Sequence, residues 1–154
     1  MVDMDRLRRL DWVNSDSPVY FITACTFDRK SILASDASHA AFVTFCHAAT
    51  DYGVIVGRYV LMPDHLHLFV CILPGSATLS GWMKSLKNFL SKQWRSEGIQ
   101  APHWQKGFFD HLLRGHESHA EKWLYMKENP VRAGLRAAAE DWPYSGEIHP
   151  MMQL

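Results

Sequence analysis

The stretch "LMPDHLHLFV", residues 61–70, decides how this chain is read. Pro63-Asp64 marks a tight turn. The residues before it, "VIVGRYVLM" (54–62), and after it, "HLHLFVCIL" (65–73), are rich in β-branched and apolar residues. They read as two strands joined by a short turn, hence an antiparallel pair. Side chains alternate faces along a strand, so His65 and His67 point the same way. Leu66, Phe69 and Cys71 follow no single alternation, which marks a strand that is apolar on both faces. Two imidazoles on one face of such a strand need satisfying partners. At ~7 Å between Cα atoms, from the strand rise, they can converge on one divalent ion. With nine histidines in 154 residues a His-x-His spacing also arises by chance. The alternative is an ordinary pair of partly exposed sheet histidines. A two-histidine site is moreover incomplete without an oxygen ligand and open positions.

Working outward, "VYFITACTF" (19–27) reads as a strand. "SDASHAAFVTFCHAATDYG" (35–53) reads as a helix capped by Ser35 or Asp36, with Ala41, Phe42, Phe45 and Ala49 at helical spacing and Gly53 closing it. Pro74-Gly75 ends the histidine strand. A long helix follows over 78–98, with Leu79, Trp82, Met83, Leu86, Phe89, Leu90 and Gln93 on its apolar side. "HWQKGFFDHLLRG" (103–115) reads as a fourth strand and "ESHAEKWLYMKEN" (117–129) as a third helix, stopped by Pro130. The order strand, helix, strand, strand, helix, strand is the split pattern of a ferredoxin-like α+β domain, with an extra C-terminal helix. One domain is expected over 1–154, with a charged lead-in over 1–17 and a short tail over 146–154.

Composition narrows the function. Sixteen Lys and Arg balance sixteen Asp and Glu, so bulk charge is not what would hold nucleic acid. Charge is nevertheless uneven. Lys84, Lys87, Lys92, Arg95 and Lys106 face only Glu97 over 84–106, and Trp82, Phe89, Trp94 and Trp104 lie among them. That mixture suits a backbone groove with stacking platforms, or a solvated helix face. The cysteines Cys25, Cys46 and Cys71 are scattered and read as buried free thiols. No window approaches the ~20 apolar residues of a membrane span. The N-terminus lacks an apolar signal region, so a cytoplasmic location and no membrane partner are expected.

The third helix offers the rest of a site. Its apolar stripe is Ala120, Trp123 and Leu124, continuing to Val131. At ~100° per residue Tyr125 falls off that stripe, on the side of Ser118, Lys122 and Asn129. Tyr125 and Asn129 are neighbours at i and i+4. Such a phenol can serve as a nucleophile, with Lys122 lowering its pKa or neutralising a phosphate. Asn129 can offer its carbonyl oxygen to an ion on His65 and His67. A surface tyrosine at a helix C-terminus is the plainer reading.

In order along the chain, "YVLMPDHLHLFV", "LSGWMKSLKNFLSKQW", "HWQKGFFDHLLR", "YMKENPVRAGL" and "DWPYS" resemble the REP-associated tyrosine transposases. These are relatives of the single-tyrosine transposases in the HUH endonuclease superfamily. The resemblance runs from about residue 17 to residue 145. It implies metal binding at His65 and His67, Tyr125 as nucleophile, Asn129 as an oxygen-donating third ligand, and Mg²⁺ or Mn²⁺ as the ion. It implies a bacterial enzyme that cleaves and transfers single-stranded, hairpin-forming DNA through a 5′-phosphotyrosine link. A hairpin-binding protein with little or no cleavage is the alternative. It is compatible with a monomer or a homodimer. Lys84, Lys87, Lys92, Arg95, Arg114, Lys122 and Arg132 are the expected DNA contacts. Asp110 is expected to have a structural role.

Overall fold

The computed structural model describes residues 18–113 and 116–151. The lead-in expected over 1–17 and Arg114 lie outside the described residues. The strands are β1 (Val19–Cys25), β2 (Val54–Leu61), β3 (His65–Ile72), β4 (Phe109–Leu113) and β5 (Ser145–Glu147). The helices are α1 (Asp36–Ala48), α2 (Leu79–Ser96), α3 (His116–Lys127) and a single turn, α4 (Asn129–Arg132). The strands form one antiparallel sheet in the order β4-β1-β3-β2-β5. The first four make the expected ferredoxin-like arrangement.

The turn at Pro63-Asp64 is as tight as the sequence requires, closed by the Met62 amide donating to the His65 carbonyl at 2.8 Å. β3 lies between β1 and β2 and is buried along nearly its whole length, as its two-faced apolarity demands. Leu66, Leu68 and Val70 point to the core under α1 and α2, together with Ile22, Ala24, Phe42, Leu86 and Trp94. Phe69 and Cys71 point to the other face, where Ile55, Val60, Met126 and Trp142 gather. β2 would present opposite faces at its two ends were it regular. A register shift between Val56 and Tyr59 corrects this, so that Val54, Val56, Tyr59 and Leu61 all reach the same core.

Helices α1 and α2 start at side-chain caps. Ser35, rather than Asp36, caps α1 by accepting from the Ser38 amide at 3.1 Å, and Thr78 caps α2 by accepting from the Gly81 amide. The two helices are tied by the Trp94 indole, which donates to the buried Ser38 hydroxyl at 2.8 Å.

Three expectations are corrected. The fourth strand is Phe109–Leu113 only, because 103–108 forms a loop held to the end of β1 by the bridge between Thr26 and Trp104. The expected tail contains the fifth strand. Ser145–Glu147 pairs with β2, and Ile148 and Met151 are buried beyond it. On the third helix the buried anchor is Met126, while Leu124 is 56% exposed and Ala120 is also exposed. Of the cysteines, Cys46 and Cys71 are buried thiols, and Cys25 is a thiol that is only half-buried.

Candidate active site

Strand alternation puts His65 and His67 on the face of β3 that carries Phe69 and Cys71, the face covered by α3. Their rings meet edge to face, with centroids 4.9 Å apart. Each ring is anchored through Nδ1. His65 Nδ1 lies 2.8 Å from Asp64 Oδ1, and His67 Nδ1 lies 2.9 Å from the hydroxyl of Thr23, its cross-strand neighbour. Phe21 stacks on the His67 ring at 5.2 Å. The Nδ1 contacts leave the two Nε2 atoms for a ligand, and outer contacts of this kind orient metal-binding imidazoles.

Protonation favours the same use. His67 is pushed down to about 3, first by burial and then by the neighbouring His65, against a hydrogen bond to the Ile22 backbone, with Arg132 and Lys122 adding to the lowering. It is therefore neutral at physiological pH, the form that ligates. Burial alone would raise Asp64, but the hydrogen bonds from His65 and Arg29 and the Arg29 charge outweigh it and hold the carboxyl below its ordinary value. Two anchored imidazoles on one face suit a divalent cation as half of its donor set. Among the described residues no cluster of three or more His, Cys, Asp or Glu could complete it. The remaining donors would have to be an amide oxygen, water or a phosphate oxygen.

α3 lies over this face. His119 stacks on Phe69 at 4.2 Å, and Met126 sits fully buried in the cluster containing Val60, which pairs with His67 across the sheet. This docking brings Lys122 to the site, with Nζ 5.5 Å from the centre of the Phe21 ring that stacks on His67. One helical turn on, Tyr125 is 59% exposed, its phenol unburied as expected of a residue off the stripe. The Arg132 guanidinium lies 4.0 Å from the Tyr125 ring centre. The same guanidinium donates to Asn129 Oδ1 at 2.7 Å and to the Tyr125 carbonyl. The oxygen expected to join the metal site is thus in contact with Arg132. Its partner atom, Asn129 Nδ2, is buried without a hydrogen bond.

The expected DNA-contacting cations divide. Lys84 and Lys106 line a groove of about 450 Å³ with Trp104 and Phe108. Lys87 lines it too, but its ammonium donates to the carbonyls of Gln105 (3.0 Å) and Gly107. Burial lowers its pKa. Lys87 is a strut holding the 104–108 loop, whose Trp104 indole in turn donates to the Lys87 carbonyl of α2 at 3.1 Å. Lys92 belongs to another groove, facing Ala37, Ala41 and Thr44 of α1, and Arg95 is exposed. Asp110 and His111 lie exposed on the edge strand β4. His111 pairs with Phe21 and so shares the face of His67.

Sequence reading passed over Arg29, Thr23 and Phe109. Phe109 is 72% exposed and pairs with Thr23, which pairs in turn with His67, so it flanks the site on the open edge. Its signal was available in "GFFD", where an apolar pair precedes a charge, but only the register shows which face it takes.

With this geometry in hand, the relatives are informative. The sequence profile of the family described as "Transposase IS200 like" matches residues 15–119. A Haemophilus influenzae protein named "Putative REP-associated tyrosine transposase" is 25% identical over 153 residues, 86% of this chain and 85% of that protein. The "REP-associated tyrosine transposase" of Escherichia coli K12 is 22% identical over 126 residues, 82% of this chain and 74% of that protein. Among solved structures, a REP-associated tyrosine transposase bound to a REP hairpin superposes with a TM-score of 0.67 at 21% identity, covering 83% of this chain and 75% of that one. The last of these shows a shared fold. The chain belongs to the IS200-like transposase family. It is an enzyme of the tyrosine transposase class that its curated relatives represent by name.

Proposed function

We propose that this protein cleaves single-stranded DNA beside a hairpin and transfers the broken strand, using Tyr125 as nucleophile and a divalent cation, Mg²⁺ or Mn²⁺, held by His65 and His67. One observation carries the reading: two Nδ1-anchored histidines share the sheet face covered by the helix that bears an exposed tyrosine. A hairpin-bound relative with the same fold supports hairpin DNA as the partner.

A cation held there would supply Lewis-acid polarisation of the scissile phosphate. The rest is the work of this chain. The Tyr125 oxygen attacks phosphorus, forming the Tyr–O–P bond as the bond to the 3′ oxygen breaks. The phenolic proton passes through solvent to that oxygen, leaving a 5′-phosphotyrosine and a free 3′-hydroxyl. Attack by another strand's 3′-hydroxyl reverses the step and returns the proton to Tyr125. Arg132, over the Tyr125 ring, and Lys122, over the Phe21 ring that stacks on His67, neutralise phosphate charge. Asn129 would add its side-chain oxygen to His65 and His67 in holding the cation, in place of its contact with Arg132. Lys84, Lys106, Trp104 and Phe108 form a basic and aromatic groove suited to an adjoining single strand.

The test is incubation with Mn²⁺ or Mg²⁺ and labelled, hairpin-bearing single-stranded DNA, followed by denaturing electrophoresis. A denaturation-resistant adduct is expected, lost on chelation and in Tyr125→Phe, whose exposed site leaves the fold intact. An adduct that survives in Tyr125→Phe overturns the nucleophile. Gel shift without adduct across many oligonucleotides favours a hairpin-binding protein, a reading to which the Arg132 contact on the Asn129 oxygen lends weight.

A further inference from the structure

We propose that Asp64 and Arg29 are positioning residues that hold His65 as a single tautomer, with the proton on Nδ1 and the lone pair on Nε2. The inference rests on the reading of His65 as a ligand, but its evidence is independent of any ion. Asp64 Oδ1 lies 2.8 Å from His65 Nδ1, and the other carboxylate oxygen accepts from Arg29 Nε at 2.9 Å. An ionised carboxylate can only accept, so Nδ1 must carry the proton. A neutral imidazole then has its lone pair on Nε2. Arg29 Nη2 also lies 3.5 Å from Nδ1, but two donors make no hydrogen bond, so that contact is proximity alone.

The Arg29 side of the clamp is built with backbone strain. Asp28 and Arg29 both take φ of 51°, left-handed values that residues with side chains seldom adopt. Such conformations persist where the surroundings over-determine them, and they concentrate at functional sites. Here the fixing group is Thr26, which is fully buried. Its amide donates to the Asp64 carbonyl at 3.0 Å, and its single hydroxyl proton is shared between the Lys30 carbonyl at 2.8 Å and the Asp64 carbonyl at 3.1 Å. The Thr26–Lys30 loop is thereby stapled to the Pro63-Asp64 turn, and Arg29 is aimed at the Asp64 carboxylate. Nothing in the hydrophobic core calls for this pairing, since Phe27, Asp28 and Arg29 are exposed. A strained, exposed loop that delivers one guanidinium to one carboxylate beside one histidine is arranged for that histidine.

Two readouts test it on Asp64→Asn and Arg29→Ala, with secondary structure checked by circular dichroism. The first is the imidazole ¹⁵N–¹H correlation spectrum of the metal-free protein. The wild type is expected to show His65 protonated at Nδ1 alone, and Asp64→Asn a mixture of tautomers. The second is Mn²⁺ affinity by calorimetry, with Kd expected to rise about 10- to 100-fold in Asp64→Asn, the usual cost of losing an outer-shell partner, and less in Arg29→Ala. An unchanged tautomer in Asp64→Asn together with a Kd within about twofold of wild type overturns the inference, twofold being well under that usual cost. If the wild type binds no Mn²⁺, the metal reading falls, and the tautomer alone decides whether Asp64 positions the ring.

Discussion

Arg132 joins Tyr125 and Asn129, the proposed nucleophile and oxygen donor. Its guanidinium covers the Tyr125 ring and holds the Asn129 oxygen, although it is itself exposed. Arg132→Ala should therefore lower the yield of tyrosine adduct and weaken binding to single-stranded DNA, while stability changes by no more than about 0.5 kcal/mol, as for other surface substitutions. Adduct assays and urea unfolding on the same preparation separate the two effects. A loss of stability as large as the loss of adduct would make Arg132 a packing residue instead. At this scale much of the candidate site was legible. Tyr125 stands off its helix stripe because a phenol destined for solvent needs no core partner. Met126 was missed as the anchor because thioether, indole and leucine side chains at 123–126 all read as apolar, and only docking selects among them.

Helix α2 shows how one basic stripe becomes several devices. Lys84 lines a groove, Lys87 is spent on two loop carbonyls, and Lys92 faces α1 instead. The spacing along the helix is the same for a solvated face and for a DNA face, so sequence cannot sort them. The sorting comes from the 103–108 loop, which reaches α2 because its backbone is bonded to the end of β1 at Cys25 and Phe27. The expected contrast is sharp. Lys84→Ala should reduce the salt dependence of single-strand binding by about 0.7 in the log–log slope, one phosphate contact, with stability unchanged. Lys87→Met should lower stability by about 0.5–1.5 kcal/mol, the net worth of a hydrogen bond to carbonyls that water can otherwise reach, and change the slope little. Salt titrations and denaturant melts of both variants check this. The reverse pattern would return Lys87 to the DNA surface.

At the scale of the whole molecule, protonation couples to the packing of α1 against the sheet. His39 Nε2 lies 2.7 Å from the Tyr59 hydroxyl, under Tyr144. Burial holds its pKa below the ordinary 6.5, with the Asp36 charge pulling the other way. The folded state thus binds fewer protons than the unfolded chain as pH falls past about 6.5. His39 contributes its full stability above that pH and loses it progressively below, toward its lowered folded value. Urea midpoints should fall between pH 7.5 and pH 5.5, and fall less in His39→Gln. Equal slopes in the two proteins would exclude His39 as a contributor. His149, also lowered by burial, acts in the same direction. The order of the first four strands and the three long helices, the tight turn at Pro63-Asp64 and the shared face of His65 and His67 were all legible in the sequence alone. Each follows from local periodicity and turn chemistry, which act within a few residues. Tertiary structure alone decided what lies across from them. Thr23 meets His67 through strand register, Arg29 meets Asp64 through a loop 35 residues away in sequence, and Ser145–Glu147 becomes a strand because β2 offers it an open edge. Such contacts arise between segments distant in sequence, where the nearest neighbours along the chain carry no record of the partner.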